Sequence, residues 1–299
     1  MNKKNRALSL LLVFAMALLL IPSFGITASA AHTIKSGVVV IDKAFVETYG
    51  TEYIIENGVF SVTVIGDVDV SIIFNNVTID RSADTAGTNV AGIYTAGQRL
   101  NWTRGYNSFY VPTCPLLITG GASVTARFDG NCTFKAGTSG WYATSDNTNT
   151  MWLDSTNRGG YAGIQVDGDS SLTISGAQNL IAYGAYQTQN SSTSAGSGKP
   201  SGLSGTNNRG GGAGIGGGTS YTSPSAATSS YTQGTPGTII IDNGKVTAYG
   251  GFQAAGIGGG TNSAATTNKI EINGGVVTAH GGAWAAGIGE GDSVDKAAS

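Results

Sequence analysis

One stretch of sequence decides the fold, and the chain contains it twice: Thr238-Ile-Ile-Ile-Asp-Asn-Gly-Lys-Val-Thr-Ala-Tyr-Gly-Gly-Phe-Gln-Ala-Ala-Gly-Ile-Gly-Gly-Gly260 and Lys269-Ile-Glu-Ile-Asn-Gly-Gly-Val-Val-Thr-Ala-His-Gly-Gly-Ala-Trp-Ala-Ala-Gly-Ile-Gly-Glu-Gly291. The period is 31 residues, because Ile257 recurs as Ile288. Self-similarity at a fixed period of this size is typical of stacked supersecondary units. We therefore expect a solenoid.

Within one unit the apolar residues alternate, which predicts short β-strands. Ile239 and Ile241 fall on one face of the first strand. Thr247 and Tyr249, in the second strand, fall on the opposite face. Glycine-containing turns separate three such strands, and every unit repeats them in the same order. The predicted fold is all-β, a three-sided right-handed parallel β-helix built from three stacked parallel sheets, with glycine at corners where φ is positive or backbones approach closely.

Fainter copies of the unit precede the clear ones. Leu172-Thr-Ile-Ser-Gly and Leu180-Ile-Ala-Tyr-Gly184 match the first two strands of the later unit, and β texture continues back to Gly37. The Ala-Gly-Ile element recurs at shrinking intervals, with its isoleucine at Ile93, Ile164, Ile215, Ile257 and Ile288. We expect one β-helix domain over residues 31–291, with an inward isoleucine column.

The shrinking intervals indicate insertions. Four segments break the repeat texture: 98–112 and 140–158, which are rich in aromatic residues, and 187–212 and 219–233, which are low-complexity Ser, Asn, Thr and Gly. The low-complexity pair has little to bury and is predicted to form mobile loops. Residues 292–299 form either a tail that covers the last coil poorly or the start of a longer product, because a solenoid needs a polar cap.

Residues 1–30 have the pattern of a secretory signal peptide. Basic Lys3, Lys4 and Arg6 precede an apolar run from Leu10 to Ile21, and Ala28-Ser-Ala30 follows as a cleavage site. The run is too short for a membrane span. We expect a secreted, extracellular protein without a membrane span after cleavage, released or associated with the cell wall.

The charge of the chain argues against nucleic acid as a partner. Without the signal peptide, 13 of the 16 basic residues and all 18 acidic residues remain, a net charge of about −5. Only 11% of the residues are charged, and no basic cluster follows Arg6. Binding to nucleic acid requires clustered Lys and Arg that displace counterions.

The two cysteines, Cys114 and Cys132, flank one strand-turn-strand unit. In a secreted protein this arrangement predicts a disulfide. Two separately buried thiols are the alternative, because a disulfide needs Cα atoms within about 7 Å.

Three aromatic residues occupy the same outward position in successive units, namely Tyr183, Tyr249 and His280. Strands of adjacent coils lie about 4.8 Å apart, so the three rings are predicted to form a ladder. The functional interpretation is a surface on which sugar rings lie flat. The alternative is a stack that only stabilises the sheet, by about 0.5–1.5 kcal/mol per pair.

Further aromatic residues are candidates for carbohydrate binding. Trp284 lies close to the corner after the ladder position, and Trp102, Tyr106 and Trp152 lie in the insertions. Exposed aromatic rings near one edge allow a protein with few charges to bind sugars. The alternative is that these loops fold their own aromatic residues onto the side of the solenoid.

Asp167 and Asp169 are the principal candidate metal ligands, since calcium takes six to eight oxygen ligands. Turn formation by these aspartates is the alternative. Calcium is thus an optional ligand and no cofactor is required. His-based triads and zinc sites are not expected, because His32 and His280 are the two histidines.

The repeat core resembles the repeats of large secreted surface proteins of Gram-positive bacteria. Val70-Ser-Ile-Ile-Phe-Asn-Asn-Val-Thr-Ile79 followed by Ala91-Gly-Ile-Tyr94 resembles bacterial right-handed β-helix carbohydrate-binding domains, over roughly residues 37–291. The same fold carries lyases, adhesins and stalks. The motifs of the lyase and galacturonase families are absent, although Arg99, Arg104, Arg127 and Arg158 could gather by folding.

We therefore expect a monomeric, secreted cell-surface protein that binds polysaccharide of a plant or microbial cell wall without catalysis, and no catalytic residue is assigned. One alternative is an adhesin or structural stalk that binds protein or the cell wall. A second is a pectate-lyase-like polysaccharide lyase or a glycoside hydrolase with two carboxylates as acid and base.

Overall fold

The structure is a computed structural model that describes ten segments of the chain. In four of them, residues 108–112, 139–144, 151–158 and 230–233, and in residues 219–222 of a fifth, the backbone alone is described. The described residues are 30–82, 108–112, 114–137, 139–144, 151–158, 160–185, 211–222, 230–233, 236–261 and 269–292. The predicted signal peptide and the segment 187–210 lie outside them.

The described elements are 22 strands and one helix. In chain order they are β1 (His32–Ile34), β2 (Gly37–Ile41), α1 (Lys43–Tyr49), β3 (Glu52–Glu56), β4 (Val59–Ile65), β5 (Asp69–Asn75), β6 (Thr78–Asp80), β7 (Ser108–Pro112), β8 (Leu116–Thr119), β9 (Ser123–Lys135), β10 (Ser139–Thr144), β11 (Met151–Arg158), β12 (Ile164–Val166), β13 (Ser171–Tyr183), β14 (Ile215–Gly216), β15 (Thr219–Thr222), β16 (Ser230–Gln233), β17 (Thr238–Ile241), β18 (Lys245–Tyr249), β19 (Ile257–Gly258), β20 (Ile270–Ile272), β21 (Val276–His280) and β22 (Ile288–Gly289).

Two parallel sheets contain most of these strands. The large sheet has ten strands in the order β1-β3-β5-β9-β13-β17-β20, with β6, β18 and β21 alongside. The small sheet has seven, in the order β2-β4-β8-β12-β14-β19-β22. The chain alternates between the sheets and pairs each new strand with its counterpart one coil earlier. This is the parallel, strand-rich arrangement of a solenoid.

The register confirms the 31-residue repeat. Ile239 pairs with Ile270, Tyr249 with His280 and Ile257 with Ile288. The fainter copy is confirmed as well, since Leu172 pairs with Ile239 and Leu180 with Val246.

The expectation of three separate sheets is wrong, because the strands that correspond to the first two of each repeat belong to one sheet: β17 and β18 both pair with β13. In β9 and β13 these strands form one continuous strand of 13 residues. The pairing of β9 with β13 shifts register twice between Ile174 and Asn179, which is typical of bulges. Bulges bend a strand without ending its hydrogen-bonded pairing. The strand segments before and after the bulges therefore belong to one sheet.

The core lies between the two sheets and consists of columns of inward side chains. The column Val70, Val124, Leu172 and Ile239 is typical, since each member pairs with the next and is at most 1% exposed. Burial of each such side chain contributes about 1.5–3 kcal/mol, an upper estimate for an extended unfolded chain. Parallel stacking therefore repeats one apolar contact from coil to coil.

An aromatic cluster fills the wider early coils. The Phe74 and Phe128 rings stack at 5.1 Å between centroids, and Phe134 meets both edge to face. In later coils Ala182 and Ala248 follow Phe134 in the same column. The core thus narrows toward the C-terminal coils.

The isoleucine column is confirmed over its last four members, Ile164, Ile215, Ile257 and Ile288. Ile93 lies outside the described residues, and the residue paired with Ile164 on that side is Leu116 in β8. The glycine that follows each of the last three isoleucines has a positive φ, between 129° and 135°. A Cβ on Gly258 would overlap the carbonyl oxygen of Gly289. Glycine is required here both for conformation and for space.

Three of the insertions contain strands. β7, from the first insertion, pairs with β10, and β10 pairs with β11, in a three-stranded antiparallel sheet with the order β11-β10-β7. The segment 219–233, for which the sequence predicts a mobile loop, contains β15 and β16, which pair as an antiparallel hairpin. Backbone pairing between strands needs no apolar run, which is why composition did not reveal it.

A short helix that the sequence analysis did not anticipate follows β2. The side chain of Asp42 caps α1 by accepting a hydrogen bond from the amide of Phe45 at 2.8 Å. Phe45 and Val46 pack against the core, and the His32 and Tyr49 rings stack at 4.2 Å. Among the described residues, no helix is long and apolar enough to span a bilayer.

The predicted disulfide is wrong, since both cysteines are free and buried. Cys132 points into the main core, whereas Cys114 lies in a separate cluster with Leu117, Ala136, Tyr161 and Ala185. The Cys114 thiol donates to the carbonyls of Leu116 and Ala162, at 3.0 and 3.1 Å. The two thiols occupy different apolar clusters and therefore do not meet.

The last repeat exposes side chains whose counterparts are buried one coil earlier. Ile272 and Ile288 are 42% and 46% exposed, whereas Ile241 and Ile257 are fully buried beneath them. Within the described residues, β20, β21 and β22 have a strand neighbour on one side only.

We expect Gly258→Ala to lower the free energy of unfolding by at least about 2 kcal/mol, because strained backbone alone costs roughly 1–3 kcal/mol. The overlap with the next coil adds to this cost. Chemical denaturation monitored by circular dichroism measures the effect. The control is Gly176→Ala, where φ is not positive and the nearest atom lies 3.9 Å away; equal losses in both variants would contradict the corner argument.

We expect two thiols per chain to react with a thiol reagent in denaturant and none in the folded protein, because both cysteines are buried. A reductant should leave the melting temperature unchanged. Absence of reactive thiols in the denatured, unreduced protein would mean that a disulfide forms.

Candidate functional site

The predicted aromatic ladder is present on the outward side of the large sheet. The Tyr183 and Tyr249 rings are 4.8 Å apart at an interplanar angle of 7°, and the Tyr249 and His280 rings are 4.7 Å apart at 5°. Their chain neighbours Ala182 and Ala248 point inward and are buried. The stack is therefore confirmed, and strand alternation places it on the outer surface.

The ladder continues into earlier coils as a charged pair. Lys135 pairs in register with Tyr183, and its Nζ lies 5.7 Å from the centre of that ring. Lys135 also pairs with Asp80, whose carboxylate it contacts at 2.9 Å. We call Asp80, Lys135, Tyr183, Tyr249 and His280 the ladder row. The sequence analysis missed its first two members, and only the strand register identifies them.

Hydrogen bonds stabilise the charged forms of Asp80 and Lys135 in this ion pair. The hydrogen bond with Asp80 raises the pKa of Lys135, and the charge of Asp80 adds to this effect. Burial alone would raise the pKa of Asp80, but hydrogen bonds from Ser82 and Lys135 lower it below its ordinary value. Both groups are therefore charged at neutral pH, and the pair carries no net charge.

The ring geometry limits what the ladder can bind. Parallel rings with centroids less than 5 Å apart must overlap face to face, because coplanar rings side by side would need a larger separation. Both faces of Tyr249 are thus covered by its neighbours. The edges of the rings, with the Tyr hydroxyls and imidazole nitrogens, remain available to a ligand, so sugar rings cannot lie flat on Tyr249 as the sequence analysis expected.

A second outward row runs beside the ladder row, two residues earlier in each strand. Its members pair in register from coil to coil, and four of the five are threonines. We call Thr78, Thr133, Ile181, Thr247 and Thr278 the threonine row.

Amide side chains flank the threonine row on its other side. Asn179 donates to the side-chain oxygen of Asn131 at 2.9 Å, and these residues pair in register. The exposed Lys245 starts the next strand, β18. The short threonines therefore form the floor of a shallow track between the ladder row and these longer side chains, and we call this surface the outer strip.

Trp284 is an exposed aromatic side chain of the last repeat. It is 53% exposed, and its ring meets Phe252 edge to face at 6.0 Å. Its φ is +62°, but Gln253 occupies the same place one repeat earlier with a φ of +56°. The unusual backbone is hence a property of the corner, and exposure of an aromatic residue is what distinguishes Trp284.

The remaining predicted aromatic residues are not placed. Trp102 and Tyr106 lie outside the described residues. Trp152 lies in β11, where the described backbone pairs it with Tyr142 in β10. The described contacts therefore do not relate these three residues to the outer strip.

The predicted calcium ligands do not come together as a metal site. Asp169 is exposed, whereas both carboxylate oxygens of Asp167 accept hydrogen bonds from the Gln165 amide, at 3.1 and 2.9 Å. In the part of the chain that the structure describes, no group of three or more His, Cys, Asp and Glu side chains could hold a metal ion.

The half-buried Asp167 instead belongs to a polar cluster with buried neighbours that the sequence analysis missed. Burial raises the pKa of Asp167 to about 6, although the Gln165 amide opposes the shift. Burial also raises the pKa of Tyr161 and Cys114, and the charge of Asp167 adds to both shifts. Each group here favours its neutral form, as expected for polar groups removed from water.

Among the arginines named as candidates for an enzyme, Arg127 has a described acidic partner. It forms an ion pair with Asp129 at 2.8 Å on the large sheet. Arg99 and Arg104 lie outside the described residues, as does the side chain of Arg158.

Comparison with known proteins adds no relatives. No family model, no curated protein and no solved structure matches this chain. The site is therefore interpreted from its own geometry.

We expect the free energy of unfolding to fall as pH rises from about 4 to 6, by roughly 1.4 kcal/mol per unit of pKa shift from Asp167. The folded-state pKa lies above the ordinary 3.8, so the folded protein holds a proton that the unfolded chain has released. The contribution of protonated Asp167 to the free energy of unfolding is greatest below pH 3.8 and is lost above pH 6.

Asp167→Asn should remove this slope, and urea titrations at several pH values would measure it. The matched control is Asp169→Asn, at the neighbouring exposed carboxylate. An unchanged slope in the Asp167 variant would contradict the assignment.

Proposed function

We propose that this chain is a secreted, non-catalytic polysaccharide-binding protein whose binding surface is the outer strip. The supporting observation is the continuous ladder row, which five parallel strands hold in register beside the threonine row. In this proposal the chain is a monomeric right-handed coil with three faces, and its ligand is a plant or microbial wall polysaccharide.

The chemistry of the outer strip suits sugar hydroxyls. Tyr and Thr hydroxyls both donate and accept hydrogen bonds, as does each sugar hydroxyl, and Asn amides provide both functions in one side chain. The apolar edges of the ladder rings and the half-buried Ile181 offer contact to sugar C–H groups. Trp284 adds an exposed aromatic ring near the His280 end.

A structural stalk is the second candidate, and the mutually covered ring faces favour it. Aromatic stacking contributes about 0.5–1.5 kcal/mol per pair whether or not a ligand binds. In a stalk or adhesin, the outer strip stabilises the coil and the partner is protein or cell wall.

A glycan array, combined with assays for reducing ends and unsaturated products, separates these functions. The assays are run with and without calcium. Retention without new products supports the binding protein, and silence in both assays supports the stalk. Product formation would support the lyase or glycosidase instead, and dependence on calcium would restore a metal ligand to the proposal.

We expect Tyr249→Phe to weaken glycan binding about fivefold without changing the melting temperature. The variant keeps the stack and removes one hydroxyl, and a hydrogen bond contributes about 1 kcal/mol. Tyr249→Ala should weaken binding further and also lower stability. Calorimetric titration and thermal melting measure the two effects.

The control is Ile240→Ala, an outward position in β17 on the other part of the same sheet. Two folded Tyr249 variants that bind as tightly as the wild type would exclude the ladder row from the binding surface.

A further inference from the structure

We infer, on the basis of the proposed function, that the ligand of the outer strip is an uncharged, unbranched glycan in a fully extended conformation. Its sugars lie along the solenoid axis in register with the strands, about one sugar per strand. This assigns a ligand class, a direction and a minimum length to the surface.

The direction follows from the register. Across β13, β18 and β21 the pairing of the ladder and threonine rows has no shift. Between β9 and β13 the shifts occur before Asn179, so the last residues of both strands also pair directly. The outer strip is therefore straight, and its chemical groups repeat along the solenoid axis.

The spacing selects an extended ligand. Successive ladder rings are 4.8 and 4.7 Å apart, which is the strand separation. One pyranose residue in a fully extended chain with equatorial linkages advances by a similar distance. Such a chain stays straight and presents a hydroxyl-bearing edge to every strand, with equivalent hydroxyls at alternate strands because successive sugars are turned by about half a turn. An α-linked chain that coils leaves the track after one or two contacts.

The width of the track admits one chain. The ladder row and the amides of Asn131 and Asn179 are four residues apart along their strands. At about 3.3 Å per residue this separation is roughly 13 Å. Long side chains occupy part of that width on both sides, so a branch on the sugar chain would meet the ladder row or the amides.

The charge of the outer strip favours a neutral ligand. The carboxylate of Asp80 balances the ammonium group of Lys135 within the ladder row. Tyr183, Tyr249 and the threonine row carry no charge, and Lys245 lies at the margin. With a charge of about −5 on the whole secreted chain, a polyanion would meet overall repulsion.

The length follows from the number of strands. Five strands cross the outer strip, so its four intervals span about 19 Å. A chain of four or five sugars contacts every strand. We expect affinity to rise roughly fivefold for each sugar added up to that length and then to level off, because each strand adds about one net hydrogen bond.

The test titrates the full chain with β-1,4-linked gluco-, xylo- and manno-oligosaccharides of two to eight sugars. Maltooligosaccharides of the same lengths serve as α-linked probes, and oligogalacturonides as anionic probes. The expected result is a rise of at least about fiftyfold from two sugars to five in one β-linked series, a plateau beyond, and no such rise for the other two classes.

Two variants check the register with little risk to folding, because valine and threonine have the same shape. Thr133→Val and Thr278→Val, at opposite parts of the threonine row, should each reduce the plateau affinity and leave the affinity for two-sugar ligands nearly unchanged. Thr125→Val is the control, since Thr125 lies in β9 but outside the outer strip, on the other side of the bulges.

The outcomes separate this inference from the proposed function. Binding without length dependence, or equal binding of the α-linked or anionic series, would overturn the extended neutral ligand and retain the polysaccharide-binding function. If no glycan binds, either in these titrations or on the array, both the extended neutral ligand and the polysaccharide-binding function are overturned.

Discussion

The structure depends on the in-register stacking of one coil on the next. Strands of the large and the small sheet pair with their counterparts one coil away, so the residue type at one position has a neighbour at the equivalent position about 4.8 Å further along. Inward, this repetition produces unbroken apolar columns such as Val70 to Ile239. At the corners it brings backbones so close that Gly258 has no room for a Cβ. A register shift would break both unless a second shift compensates for it, as happens between β9 and β13.

The same repetition governs the surface. An outward residue has the outward residues of two neighbouring coils beside it, so single side chains become rows. Tyr183, Tyr249 and His280 form a stack for this reason, and Lys135 and Asp80 extend it by pairing with each other. Rows that run along the axis suit a ligand that is itself repetitive and straight. The proposed polysaccharide and the proposed extended conformation both follow from that match.

The stack also shows why a pattern of aromatic residues is insufficient evidence for how a ligand binds. Rings in register on parallel strands cover one another, and a covered face cannot support a sugar ring. What remains are ring edges and hydroxyl groups, which bind by hydrogen bonding. Trp284 differs because it belongs to the last repeat, where side chains are exposed whose counterparts one coil earlier, such as Gln253, are buried. The half-buried Asp167 shows that an acidic residue is likewise insufficient evidence for a metal site, since its carboxylate oxygens accept hydrogen bonds from Gln165.

The sequence by itself determined the repeat, the alternation of inward and outward residues, the aromatic stack and the need for glycine after the last three isoleucines of the column. Each of these depends on local periodicity or on backbone conformation, which are properties of neighbouring residues. Only the tertiary structure decided that Cys114 and Cys132 lie in different clusters, that two insertions share a three-stranded sheet, and that Lys135 and Asp80 join the ladder row. These features depend on which residues distant in sequence become neighbours. Insertions of unequal length hide that information in the early coils, where the spacing between repeats varies.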